Sequence, residues 1–310
     1  DYIPAFKDMQ VLKADAAGVD DVEPAAGPMR IRHILSHSAG LSYGFIEPDS
    51  LVDKAYAAAG IDILNDFSLT LETLCDKLGA LPLAYHPGTQ WRYSFATDVV
   101  ARLVEVISGQ RFDAYLKQHI FEPLDMSDTD FWVPPEKSGR FTTMYAPTDL
   151  LDPMKPGLVK VDDPREGSYN RERNLLSGGG GLVSTVQDYL AFLRMIVNGG
   201  TWAGARILAP ETLALMRTNQ LPEGVGVSFP MWDMPGTVFG LGFALKEQLA
   251  DGETQGMRNE YHWGGMAGTH SWMAPEAGIT GLCMTQRMPG FWHPISHEFK
   301  AMAYSITADG

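Results

Sequence analysis

The order in which hydrophobic periods change along this chain constrains its fold more than any other feature. Helical spacing comes first. From Thr97 to Ser108, Val99, Val100, Leu103, Val104 and Ile107 fall on one stripe, and Gly109 follows as a stop. The stretch from Arg111 to Ile120 repeats the pattern with Phe112, Tyr115, Leu116 and Ile120. From Gln187 to Asn198, Leu190, Leu193, Ile196 and Val197 point inward; Thr185 can cap that helix with Asp188, and Gly199-Gly200 ends it. Strand-like runs gather near the C-terminus, from Thr269 to Met273 and from Ile279 to Thr285. The turn-rich segment from Ala274 to Gly278 joins them as a hairpin. A last helix from Ser296 to Ile306 presents Phe299, Met302, Ala303 and Ile306, the face expected to cover that sheet. Helices followed by an antiparallel meander predict an α+β fold, an antiparallel β-sheet flanked by helices, rather than a doubly wound sheet.

Composition excludes several functions. The 310 residues carry a net charge of −14, which repels phosphate backbones and anionic lipid. Neither nucleic acid nor a membrane is expected as a partner, and no apolar run reaches bilayer length. Two cysteines, Cys75 and Cys283, make neither a disulfide framework nor a zinc site unaided. His33 and His37, like His293 and His297, stand four apart, but lack the glutamate of H-E-x-x-H and an evident third ligand. No metal or cofactor is expected.

Two segments could carry chemistry. Tyr93, in Trp91-Arg-Tyr-Ser-Phe-Ala-Thr97, directly precedes a helix. The positive end of the helix dipole favours its phenolate, as a general base near neutral pH requires. The same residue could simply pack as an aromatic. Tyr261-His262-Trp263-Gly264-Gly265-Met266-Ala267-Gly268 places paired glycines in a strand context. Such a bare edge lets a substrate carbonyl reach backbone N–H groups, as an oxyanion hole requires, although a bulge or tight crossing would also use it.

In chain order, Met29-Arg-Ile-Arg-His-Ile-Leu-Ser-His-Ser-Ala-Gly-Leu41, Tyr93-Ser94-Phe95, Leu176-Ser-Gly-Gly-Gly-Gly-Leu-Val-Ser-Thr185 and Trp263-Gly264-Gly265 resemble segments of the β-lactamase-related serine hydrolases, the superfamily of penicillin-binding proteins and class C β-lactamases. The Trp-Gly-Gly form is similar to that of family VIII carboxylesterases; β-lactamases carry Lys-Thr-Gly there. The likeness runs from Asp1 to about Asp309. It implies a β-lactamase/transpeptidase-like sheet domain, formed from residues 1–28 and 177–310, with a mostly helical domain inserted over residues 29–176.

The resemblance further implies a two-step acyl transfer from a small-molecule ester or amide. Tyr93 would take the proton of the nucleophilic serine. The Met266 backbone N–H would supply one oxyanion donor, beside Gly264 and Gly265. Trp263, His262 and Phe95 would line the substrate site. Phe95 and Trp263 stand where β-lactamases place an asparagine and a lysine, which favours neutral esters over β-lactams. A serine carboxylesterase is therefore expected. The alternatives are a β-lactamase, D-amino-peptidase or acyltransferase of the same superfamily, or a non-catalytic penicillin-binding-like module.

No serine in the chain stands three residues before a lysine. The Ser-x-x-Lys helix is expected in a segment preceding Asp1, which would be a physical partner of this chain. A cytoplasmic location is the expectation, with any N-terminal signal outside view. Gly40-Leu-Ser42-Tyr-Gly44 fits the nucleophile-elbow pattern, but a helical pattern precedes it where a strand is needed, so it reads as a loop.

Overall fold

Side-chain oxygens start the helices where the sequence places them. Ser50 accepts from the Asp53 N–H at 3.3 Å, Thr70 from Thr73 at 3.1 Å and Thr185 from Asp188 at 3.1 Å. The resulting helices are Leu51–Ala58, Leu71–Gly79 and Val186–Val197. The Ala96–Ser108 helix ends at Gly109, whose φ of 69° a residue with a Cβ would adopt only under strain. The expected helix from Arg111 to Ile120 is α-helical over Phe112–Leu116 and widens into π-type turns over Lys117–Phe121.

The computed structural model describes residues 1–61, 68–230, 232–290 and 293–308. Asp309, where the sequence likeness was taken to end, lies outside the described residues. The chain divides into two units. The first comprises residues 1–118, 173–181 and 214–245; the second comprises 119–172, 182–213 and 246–310.

In the first unit the Leu71–Gly79 and Ala96–Ser108 helices pack together. Leu74, Leu78, Ala96, Val99 and Ala101 have no exposed surface there. Each fully buried leucine or valine contributes roughly 1.5–3 kcal/mol relative to an exposed one. Short antiparallel strands Gln10–Leu12 and Val22–Pro24 lie in the same unit. Strand Thr237–Phe239 runs beside Ala244–Lys246, and the division between units falls at the end of the latter.

The second unit holds the C-terminal meander Tyr261–Gly264, His270–Ala274 and Ile279–Cys283, antiparallel throughout. Strand alternation puts His262, His270 and Trp272 on one face, and Trp263, Ser271 and Met273 on the other. Trp272 pairs with Gly281, where an added Cβ would lie 2.0 Å from the indole. The link through Pro275–Ala277 closes on Gly278 at φ 65°.

The final helix, Ile295–Ala308, covers the sheet with part of the expected face: Phe299 sets its ring 5.7 Å from Trp272 and Ala303 packs against the Trp272, Ala274 and Tyr304 cluster. Phe299, Met302 and Ile306 are 45%, 65% and 76% exposed, while Lys300 and Tyr304 are buried. Both reach the carboxylate of Glu260, at 2.5 Å from Lys300 Nζ and in a short hydrogen bond from the Tyr304 hydroxyl. A buried carboxylate needs such partners, and that requirement turns Lys300 and Tyr304 inward and leaves Met302 and Ile306 on the outside. A hairpin of Met144–Pro147 and Leu158–Asp162 also appears in the stretch expected to be mostly helical. The alternating Leu158-Val-Lys-Val-Asp162 is its only sequence signal, and nearby Pro147, Pro153 and Pro156 obscure it.

Candidate active site

Tyr93 lies in the irregular turn immediately before the Ala96–Ser108 helix, half-buried. Rings surround it: His37 at 4.9 Å, Tyr43 at 5.1 Å and Phe229 at 5.8 Å between centroids. His37 is buried, and burial pushes its pKa down to about 3, so it is neutral at physiological pH. Its backbone fixes the approach to Tyr93, because the Arg92 N–H donates to the His37 carbonyl at 2.9 Å. Ser94, 1% exposed, hydrogen-bonds His37 Nδ1 at 3.3 Å.

Phe95 begins the helix with its side chain 1% exposed, against Tyr43 at 4.5 Å and Tyr56 at 6.1 Å. Its apolar ring backs Tyr43, which in turn lies against Tyr93.

A buried acid holds the first helical turn. Asp98 accepts from the Ser177 hydroxyl at 2.5 Å and from the Gly179 N–H at 3.5 Å. Burial raises its pKa to about 6. The glycine run presses on that turn: a Cβ at Gly178 would lie 2.3 Å from the Thr97 carbonyl, and one at Gly179 2.2 Å from the Tyr43 hydroxyl. The run is a close-packed support for that turn.

The second unit holds the remaining predicted site residues at one end of its meander. His262 and Trp263 lie in strand Tyr261–Gly264 on opposite faces. Gly265, Met266, Ala267 and Gly268 form the turn into the next strand. The Gly265 N–H donates to Thr269 O at 2.8 Å and the Gly268 N–H to Gly265 O at 3.0 Å. The carbonyls of Met266 and Ala267 accept from Gly290 and Arg287. The Met266 and Ala267 N–H groups find no acceptor among the described residues. Met266 is 39% exposed and Gly264 is exposed, so the turn offers open backbone donors on an accessible rim. Glycine is required for this shape: Gly268 has φ 79°, and a Cβ at Gly265 would lie 2.4 Å from Thr269 Oγ1.

His262 is buried, and desolvation together with the Lys300 charge holds its pKa well below the usual histidine value. It sits 3.9 Å from Glu260 beneath the turn, so it supports the strand and does not face outward. The Glu260–Lys300–Tyr304 network under it gave no sequence signal, because the partners are 40 and 44 residues apart.

Ser42 is fully buried. Its hydroxyl donates to Asp53 in a short hydrogen bond and accepts from Arg92 Nε at 2.8 Å. The element leading into it is the helix Ile31–Leu35 and not a strand, so its surroundings are not those of a nucleophile elbow. Among the described residues no group of three or more His, Cys, Asp or Glu side chains could hold a metal ion.

The antiparallel meander, its flanking helices and the glycine turn define a mixed α+β chain of the β-lactamase/transpeptidase type. The chain belongs to the Beta-lactamase family, whose pattern it matches over residues 1–299. It is 31% identical to protein Rv1367c of Mycobacterium tuberculosis over 295 residues, covering 93% of this chain and 70% of that protein. It is 32% identical to esterase EstB of Burkholderia gladioli over 276 residues, covering 82% of this chain and 64% of EstB. Among solved structures, EstCE1, a hydrolase with promiscuous acyltransferase activity, superposes with a TM-score of 0.78 at 25% identity, over 98% of this chain and 76% of EstCE1.

Proposed function

We propose that this protein cleaves carboxylic esters, or transfers their acyl groups, through an acyl-enzyme. Family membership and the esterase and acyltransferase names of its relatives support ester chemistry. One observation carries the reading onto this chain: the Met266 N–H is open at an exposed glycine turn in which the neighbouring Gly265 and Gly268 N–H groups are bonded. A preorganised donor of that kind stabilises the oxyanion that develops as a carbonyl is attacked.

In the proposed cycle the hydroxyl of a Ser-x-x-Lys serine in the full-length protein attacks the ester carbonyl. Its proton passes to the Tyr93 phenolate, and the carbonyl oxygen becomes an oxyanion held by backbone N–H groups, that of Met266 among them. The tetrahedral adduct collapses, the C–O bond to the alcohol breaks, and the alcohol leaves with a proton returned from Tyr93. Water, or an acceptor alcohol, then repeats the sequence on the acyl-enzyme. The half-buried indole of Trp263 supplies no cation for a β-lactam carboxylate, so neutral esters are the proposed substrates.

The test is fluorophosphonate labelling of the full-length protein, mapped by peptide mass spectrometry. Label on a Ser-x-x-Lys serine is expected. Label on Ser42 would replace this reading by a nucleophile elbow, and no label would leave a non-catalytic relative.

A further inference from the structure

Five aromatic rings of the first unit lie in one continuous row with Tyr93 at its centre. From Phe45 to Tyr43 the centroid distance is 5.0 Å, and from Tyr43 to Tyr93 it is 5.1 Å. From Tyr93 to Phe229 it is 5.8 Å, and from Phe229 to Trp232 it is 4.2 Å with the planes 18° apart. Phe45 is 44% exposed, and Tyr93, Phe229 and Trp232 are half-buried. Tyr43 alone is nearly covered, its hydroxyl against the Gly179 support.

The far end of the row is built to stay in place. Phe229 and Trp232 are opposed residues of a two-stranded hairpin, and Ser228 Oγ donates to Asp233 Oδ1 at 2.6 Å across its base. Buried Trp91 sets its edge against Phe229 at 5.3 Å from behind. The nearby cationic groups do not reach this surface: buried His37 is neutral, and the guanidinium of Arg92 is taken up by Glu47, Asp53 and the Ser42 and Ser50 hydroxyls. A contiguous, partly exposed aromatic surface is costly in water unless it serves to bind something. What it attracts is another flat apolar ring, by offset or edge-on contact.

We propose that this row is the specificity surface of the acyl-transfer site, and that the preferred esters carry an aromatic ring that stacks on Phe229 and Trp232 while the ester group lies toward Tyr93. The inference rests on the ester-cleaving reading above and adds to it the class of substrate.

The experiment compares kcat/KM for ethyl acetate, ethyl phenylacetate and benzyl acetate in the full-length protein and in Trp232→Leu, Phe229→Leu and Trp232→Tyr. Either leucine variant is expected to lower the ratio of a ring ester to ethyl acetate by about tenfold, the worth of one lost stack with its burial. Trp232→Tyr is expected to keep most of the ratio. A drop confined to ethyl phenylacetate places the ring on the acyl side, and one confined to benzyl acetate places it on the alcohol side. Ratios unchanged in both leucine variants overturn the proposal. If the wild-type protein hydrolyses none of the three, the ester-cleaving reading falls by itself. The row is then judged by titration with phenylacetamide: saturable quenching of fluorescence present in wild type and lost in Trp232→Leu supports it, and identical curves overturn it.

Discussion

Replacing Ser42 by alanine separates a structural hydroxyl from a nucleophile. Ser42 has no exposed surface, and its hydroxyl is shared between Asp53, to which it donates, and Arg92 Nε, from which it accepts at 2.8 Å. The Asp53 side chain is itself fully buried. Removing the hydroxyl leaves Arg92 Nε–H without that acceptor. Asp53 Oδ1 keeps Arg92 Nη2 at 3.3 Å, and Oδ2 keeps the Glu47 N–H at 2.9 Å. The loss is one buried hydrogen-bond partner on each side, with the ion pair intact. Such a loss costs about 1–3 kcal/mol. For a domain of this size it lowers Tm by roughly 2–4 °C per kcal/mol. Differential scanning calorimetry reads that drop, and an ester-hydrolysis assay on the same sample reads turnover. We expect a lower Tm with kcat retained. A variant with unchanged Tm and hydrolysis reduced by several orders of magnitude would refute the reasoning, because a merely structural hydroxyl does not behave that way.

Three further outcomes follow from the same geometry. The pKa of His37 lies at about 3 in the fold against 6.5 when unfolded, so the unfolded state binds the extra proton between those values. Stability is complete above pH 6.5 and is lost as pH falls toward 3, by about 3 kcal/mol at pH 4 from this group; His37→Asn, which tolerates the φ of 55°, should flatten urea-derived stability over that window. Lys300→Met strands the Glu260 carboxylate, 1% exposed in its side chain, and should cost about 3–5 kcal/mol, whereas Lys300→Met with Glu260→Met should recover much of it in a double-mutant cycle. Gly281→Ala drives a methyl into buried Trp272 and should cost about 1–3 kcal/mol by thermal unfolding; an unchanged Tm would show that the indole can move.

Local rules made much of this fold legible. Thr185 with Asp188 announced a helix that begins at Val186, and the run from Thr269 to Thr285 announced a meander that forms with a shift of a residue or two. The paired glycines Gly264-Gly265 announced an interruption of the strand, and the turn begins there, with a Cβ at Gly265 2.4 Å from Thr269 Oγ1. The failures have a common origin in contacts distant along the chain. Of the stripe Phe299, Met302, Ala303 and Ile306 on the last helix, Phe299 and Ala303 meet the Trp272 cluster but Met302 and Ile306 do not, because the buried carboxylate of Glu260 draws Lys300 and Tyr304 inward. Ser42 fits a catalytic pattern in sequence, yet Asp53 and Arg92, brought in from 11 and 50 residues away, make it a buried strut. Phe95 was expected at the substrate; tertiary packing on Tyr43 and Tyr56 gives it a supporting place. The aromatic row is invisible to any short pattern, since Tyr43, Tyr93 and Phe229 meet only in the fold.

The central claim is that Tyr93 is the base of an acyl transfer, and stopped-flow measurement of acylation tests it most directly. In the full-length protein with an activated ester, Tyr93→Phe should slow the burst of released alcohol by about a hundredfold or more while Tm stays at the wild-type value. A burst within about twofold of the wild-type rate, well short of the loss expected for a general base, would contradict the account.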